Sequence, residues 1–333
     1  MRKKPKPLHH TLLFTGYTDA SAGGPESFWT MEFTVFRSRN GFQRRAEWVG
    51  IFEKPSKDGT RLDRKVFRKA LAFPEGLESL EDLTSKSWRC DTIHFSPQRY
   101  SGRISSSEGE LTWDFSIESG YRLDFSPLHP WLHFRTLSTQ IPLRGSWALL
   151  KKNGESSSFS WNSSESPARA ILQRRDESKR VWPTLWFHSQ SLRESHAPQV
   201  NHCAEGLHAS PGLTSLANLT SVSAFDTLKT LPRATLWKAL RSKLQKQRQG
   251  WSFRSDQGGQ ELRGKIEVDP KHWVTLRYED VDGKAFYRSS ARRARLEIQV
   301  LQRGKPQGLY RTGEDMWLEW TTRRPPVEAP ELR

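Results

Sequence analysis

Near the C-terminus the sequence Lys271-His-Trp-Val-Thr-Leu-Arg-Tyr-Glu-Asp-Val-Asp-Gly-Lys-Ala-Phe-Tyr-Arg-Ser-Ser290 runs directly into the alternating Arg293-Ala-Arg-Leu-Glu-Ile-Gln-Val300. Aromatic-rich segments on either side of an Asp-Gly turn, followed by an apolar/polar period of two, can satisfy their backbone only as antiparallel strands with one buried face. A second stretch, Trp88 to Phe125, has the same texture. Two such blocks predict two β-units built on one plan.

The first unit is expected to open at Phe28-Trp-Thr-Met-Glu-Phe-Thr-Val-Phe36, where Trp29, Met31, Phe33 and Val35 share a face, and to return through Arg45–Phe52. Its strongest strand is Glu110–Glu118, with Leu111, Trp113, Phe115 and Ile117 on one side. Residues 1–27 read as a basic flexible tail, 28–150 as the first β-unit, and 151–249 as a loop-rich connection with a strand, Trp182–His188, and a basic helix. Residues 250–323 read as the second unit and 324–333 as a Pro-rich tail. A short helix is expected around Asp63–Leu71. A longer one is expected over Ala234–Gln249, between Pro232 and Gly250, with Leu236, Trp237, Leu240 and Leu244 as its apolar stripe. Lys238, Arg241, Lys243, Lys246 and Arg248 would form its basic face.

The chain has 333 residues, 53 Lys+Arg against 37 Asp+Glu, and 14 Trp. That charge attracts acidic ligands, anionic membranes or phosphate backbones without choosing among them. The absence of a zinc-finger, homeodomain or RNA-recognition signature argues against nucleic acid. Cys90 and Cys203 are the only cysteines, so there is no disulfide framework. The start Met1–Pro7 is basic, but its following apolar run, Leu12-Leu13-Phe14, is too short for a signal-peptide core. No run approaches the ~18 apolar residues of a membrane span. These features lead to the expectation of a cytoplasmic monomer without cofactors.

Five segments carry a family resemblance. Phe28–Phe36 and Gly109–Glu118 in the first unit, with Gly264-Lys-Ile266, Trp273–Tyr278 and Glu279–Ser290 in the second, resemble the tandem lipocalin-like proteins that include carotenoid 1,2-hydratase, AttH and tocopherol cyclase-like sequences. In that group a Tyr is followed by an Asp-Pro-Asp-Gly turn and a polar Asn-Ser-bearing strand; here Val281 replaces the Pro and Ser289 stands where Asn is expected. The resemblance implies an all-β fold of two lipocalin-like antiparallel barrel or sandwich units. It also implies binding of a hydrophobic small molecule, an isoprenoid or lipid, with hydratase- or cyclase-type acid–base chemistry if the ligand is transformed. It assigns no catalytic residue.

The residues themselves offer several candidate sites. Trp29, Trp48, Trp113, Trp131, Trp147, Trp273 and Trp320 would wall a cavity or pack a core; the pattern allows both. Asp114, Asp124, His94 and His133 lie among aromatic residues and are candidates for a proton donor, provided burial raises their proton affinity. His188, His196, His202 and His208 with Cys203 cluster within 21 residues, but their spacing matches no compact metal-ligand pattern. They read as scattered hydrogen-bonding side chains on a loop, with metal ligation as the alternative. The turn Asp280-Val-Asp-Gly283 reads as a hairpin and not a calcium loop, because the twelfth position from Asp280 is Ala291. The basic helix would dock its apolar stripe on the β-body, or lie on an anionic membrane as part of a noncatalytic lipid-binding protein.

Overall fold

The computed structural model describes residues 8–18, 27–38, 43–55, 62–78, 82–107, 109–117, 133–141, 143–151, 156–162, 169–176, 184–209, 213–222, 229–230, 243–257, 260–280, 282–312 and 316–324. Almost all of these are β-strand. The chain divides into two compact units, Met1–Ser126 with Leu132–Lys179 and Pro127–Trp131 with Arg180–Arg333.

The first unit contains β1 (Leu8–Thr18), β2 (Ser27–Arg37), β3 (Arg44–Pro55), β4 (Leu62–Leu71), a one-turn helix α1 (Asp82–Ser85), β5 (Trp88–Cys90), β6 (Ile93–Ser96), β7 (Arg99–Ser106), β8 (Gly109–Ile117), β9 (His133–Ile141), β10 (Leu143–Lys151), β11 (Ser156–Asn162) and β12 (Arg169–Asp176). They form two six-stranded sheets, ordered β4-β3-β2-β1-β12-β9 and β11-β10-β8-β7-β6-β5. Alternation places Trp29, Met31, Phe33 and Val35 of β2 in one core with Trp48 of β3 and Leu111, Trp113 and Phe115 of β8. Rings are stacked throughout it: Trp48 on Trp113 at 4.9 Å between centroids, Trp29 on Phe115 at 5.3 Å and Phe14 on Tyr100 at 4.8 Å. The Trp48 indole N–H donates to the Tyr100 hydroxyl at 2.9 Å, which satisfies two polar groups that burial would otherwise strand.

Several expectations are corrected here. Leu8–Thr18 is not a tail but a central strand, paired with β2 on one side and β12 on the other, with Leu12 and Phe14 in the core. Asp63–Leu71 is strand, not helix: Val66 and Phe67 stand opposite Ile51 and Gly50 of β3, and Phe67 is fully buried. Within the strand-like Trp88–Phe125 stretch, Trp88–Phe95 is not one strand but a tight hairpin turning at Asp91, whose φ of 49° is left-handed. The first part of the connection, Lys151–Arg180, expected as loop, contains β11 and β12.

The second unit contains β13 (Thr184–Glu194), β14 (Ala197–Ala209), β15 (Leu213–Val222), β16 (Lys229–Thr230), β17 (Lys243–Gln247), β18 (Gly250–Gln257), β19 (Gln260–Val268), β20 (Val274–Glu279), β21 (Ala285–Gln302), β22 (Lys305–Arg311) and β23 (Met316–Thr322). The sheet order is β16-β15-β14-β13-β22-β21-β19-β18-β17, with β20 paired to β21 and β23 bridging β13 and β21. Its core gathers Phe187, Trp251, Phe253, Leu296, Ile298 and Leu318. Asp280–Gly283 is the expected hairpin turn between β20 and β21, with Gly283 at φ +76°. The Asp280 carboxylate accepts the backbone N–H groups of Asp282 and Lys284, each at 2.9 Å.

Among the described residues no part of the expected basic helix is helical. Residues 231–242, including Lys238 and Arg241, lie outside the described residues. Lys243–Gln247 is β17, and Leu244 of the expected stripe packs on the second core from a strand. Gly250, read as a helix stop, is where a hairpin returns: Gln247 pairs with it, and a Cβ there would lie 1.8 Å from the Ile266 carbonyl oxygen. A glycine just beyond a basic amphipathic run serves either ending. No helix among the described residues is long and apolar enough to cross a membrane.

Candidate functional site

The second unit buries both faces of its sheet around β13, β20, β21 and β23. On β23, Met316 and Leu318 enter the core while Trp317, Glu319 and Thr321 point to the other face, yet all five are buried. Trp186 and His188 of β13 stand directly opposite Glu319 and Trp317, and Ser290 and Arg288 of β21 stand opposite Glu319 and Thr321. Leu276 and Tyr278 of β20 complete the face across Arg288 and Phe286.

This face is both ionic and aromatic. Arg288 Nε lies 3.3 Å from Glu319 Oε1, with the two side chains only 3% and 6% exposed. The Arg288 guanidinium sits 4.7 Å above the Tyr278 ring, and that of Arg292 sits 4.8 Å above Trp317. Trp186 lies 6.1 Å from the His188 ring and 6.2 Å from Trp317. Taking charges out of water costs several kcal/mol per ion in order of magnitude, and pairing often does no more than offset it. A buried ion pair and imidazole among four aromatic rings is therefore poorly explained by stability, and well suited to binding and proton chemistry.

In the first unit β1, β2 and β3 also bury much of the sheet's second face. There Thr34 donates to Glu32 Oε1 at 3.3 Å and shares a 3.0 Å hydrogen bond with Thr11. Arg64 pairs with Glu53 at 2.5 Å.

The residues singled out in the sequence are distributed as follows. Trp29, Trp48 and Trp113 are buried in the first core, and Trp147 packs on it with its ring 4.7 Å from Phe52. These four take the packing alternative. Trp131 and Asp124 lie outside the described residues, and His133 stands on β9. Asp114 is exposed on β8 and held by Arg99 through two bonds of 2.7 and 2.5 Å. His94 is also exposed, so neither has the apolar burial that a tuned proton donor requires. Of the histidine cluster, His188 is buried, His196 is exposed in the β13–β14 turn, and His202, Cys203 and His208 lie along β14, a strand and not the expected loop. Trp273 and Trp320 meet beside Lys246 and Arg248 in a cleft at the β17–β18 hairpin.

Glu319, Arg288 and Arg292 were missed in the sequence. Simple alternation assigns the polar residues of Trp317–Thr321 and Phe286–Arg292 to a solvated face. The one signal that could have found them is aromatic: Trp317, Phe286 and Tyr278 share that supposedly solvated face.

Two compact, all-antiparallel units with aromatic cores and a doubly buried ionic sheet make an all-β, lipocalin-like fold. Among solved structures, CghA in complex with Sch210972 is similar over 96% of this chain and 90% of its own, at 10% identity and a TM-score of 0.52. Kievitone hydratase from Nectria haematococca is similar over 96% and 90%, at 10% identity and a TM-score of 0.50. A Nitrosomonas europaea protein provisionally designated AttH covers 93% of this chain at 11% identity and a TM-score of 0.44, too low to argue from. No family model and no curated protein sequence matches the chain. The likeness is one of fold, and at that level it agrees with the resemblance read from the strands.

Proposed function

We propose that the chain binds a hydrophobic small molecule, isoprenoid- or lipid-like, against the doubly buried face of the second unit, and that it moves a proton on that molecule. The observation that carries this reading is the Arg288–Glu319 pair, buried with His188 among Trp186, Trp317, Tyr278 and Phe286. The shared fold adds support at a coarse level, since one similar structure is a hydratase by name and another is a complex with Sch210972.

In this reading Arg288 holds Glu319 in place across the strands, and His188 is the group that exchanges a proton. Aromatic faces stabilise cations, and Tyr278 and Trp317 each already carry a guanidinium. They would lower the cost of positive charge developing on a protonated double bond. In a hydration, the imidazolium gives its proton to one alkene carbon and a water oxygen bonds to the other. The proton that this water then loses returns to the imidazole, so the enzyme ends unchanged.

Two observations weigh against the alternatives: Lys243–Gln247, the described end of the expected basic helix, is a strand, and Arg288 and Arg292 are buried rather than part of a basic surface.

Native mass spectrometry and solvent extraction of protein purified from its own host test the proposal. The expected result is a co-purifying hydrophobic molecule that is lost in Trp317→Ala and retained but unprocessed in His188→Gln. Protein that carries no such molecule and binds none of a panel of isoprenoid alcohols and fatty acids would overturn it.

A further inference from the structure

We infer that the hydrophobic molecule bound on the buried face of the second unit is an acid, and that its carboxylate accepts a hydrogen bond from the Trp317 indole N–H. The inference rests on the reading of that face as the ligand-binding face. It narrows the ligand from any isoprenoid- or lipid-like molecule to an isoprenoid acid or fatty acid.

Trp317 is only 6% exposed, and its Nε1 has no hydrogen-bond partner among the described residues. A buried indole N–H ordinarily finds an acceptor. The carboxylate that the fold places nearest in sequence is Glu319, two residues along the same side of β23, and it is turned to Arg288 at 3.3 Å. What the indole calls for is a single acceptor oxygen. The end of a molecule lying on the face supplies one.

Charge selects the kind of oxygen. The Arg292 guanidinium, 1% exposed, stands 4.8 Å above the Trp317 ring. An oxygen bonded at the edge of that ring therefore sits close to a buried positive charge, where attraction is stronger than in water. A hydroxyl or ester oxygen would complete the hydrogen bond and forgo the charge; a carboxylate gains both. His188 stands directly opposite Trp317 across β13 and β23. A carboxylate anchored on the indole thus sets the adjoining hydrocarbon beside the imidazole, and Trp317 is a positioning residue for the proton transfer proposed above.

Equilibrium binding of farnesoic acid, its methyl ester and farnesol to the full chain at neutral pH tests this. The ionised acid should bind more tightly than either neutral molecule, by about tenfold, the size of a hydrogen bond to a charged group. Trp317→Phe keeps an aromatic ring and removes the donor. It should weaken farnesoate by about tenfold and farnesol by only about two- to fivefold, so that the lead of the acid shrinks. A ligand preference of this kind would not change if Trp317 served packing alone. The comparison within the natural chain decides the matter even if the variant does not fold. Equal affinity for the acid and the alcohol would overturn the inference and leave the ligand-binding reading intact, as would an undiminished lead of the acid in a folded Trp317→Phe. Binding of none of the three would overturn both.

Discussion

Trp113 lies flat over Gly102, its cross-strand partner: a Cβ built on Gly102 would come within 2.4 Å of the indole ring. Phe253 and Gly264 repeat the relationship in the second unit, at 1.9 Å. The large ring needs the bare backbone opposite, because only then does it reach the next layer, where Trp113 stacks on Trp48. Gly102→Ala is therefore expected to destabilise the first unit by about 1–3 kcal/mol, the usual cost of overpacking. Urea unfolding followed by tryptophan fluorescence would measure it, and an unchanged midpoint would show that the ring has room to shift.

The Trp48–Tyr100 hydrogen bond yields a second prediction. Tyr100→Phe leaves the Trp48 N–H buried without its acceptor and should cost about 1–3 kcal/mol. Burial, the largest influence, pushes the Tyr100 phenol well above the ordinary tyrosine range, and its bond from Trp48 offsets only part of that. In spectrophotometric titration this phenol should ionise only as the unit unfolds.

Asp280 ties the β20–β21 turn to the segment after β23. Arg323 Nη2 donates to Asp280 Oδ2 at 2.7 Å, and Arg323 Nη1 reaches the carbonyls of Lys284 and Ala285. Burial, the largest single influence, raises the Asp280 pKa, but Arg323 and the two turn N–H groups together bring it below its ordinary 3.8. A carboxyl with a depressed folded-state pKa stabilises above its unfolded pKa, and that stability is lost as pH falls through the folded value. Asp280→Asn should thus be less stable than the natural chain at pH 7, by about 1–3 kcal/mol for charge-assisted bonds. The gap should close as pH drops below 3.8. Thermal melts of both proteins across pH 2.5–7 check the sign.

Arg288 and Glu319 should be strongly non-additive. Glu319→Leu leaves a buried guanidinium uncompensated, and removal of one partner of such a pair costs about 3–5 kcal/mol. Arg288→Leu with Glu319→Leu should be milder than either single change, as a double-mutant cycle would show. A fully additive cycle would mean the two side chains do not interact.

Cys90 should be inert. Burial, followed by the charge of Asp91, raises its thiol to about 12, and its Sγ–H donates to the Ala72 carbonyl at 2.8 Å. Since the thiolate is the reactive form, iodoacetamide at pH 8 should leave the Cys90 peptide unmodified until denaturant is added. Peptide mass spectrometry reads this directly.

The sequence displayed the strands whose alternation was clean. Phe28–Phe36, Glu110–Ile117 and Arg293–Val300 all lie in strands, and Asp280–Gly283 is the hairpin turn its Asp-Gly suggested. Segments with polar residues on both sides were harder. His202-Cys203 and Ser215–Ser221 look like loop because no apolar face is present, yet β14 and β15 pair along their lengths. Lys243–Gln247 fitted a helical stripe through Leu244 alone, and five residues cannot distinguish the two periods. The site was hidden for a related reason. A period of two shows that Glu319 and Arg288 face away from Leu318, but it carries no information on whether water lies there.

Strand β21 runs unbroken through 18 residues from Ala285 to Gln302 and pairs with β19, β20, β22 and β23. Its early residues carry Arg288 and Arg292, and its later ones carry Leu296 and Ile298 of the core. An insertion of one residue upstream of Leu296 would turn one end of the strand over relative to the other, and the register shift between Ala291 and Ala294 is already an irregularity of this kind. Exchanging side chains on β21 therefore keeps its two faces in place, whereas a further change in its length would carry Arg288 and Arg292 out of step with Leu296 and Ile298.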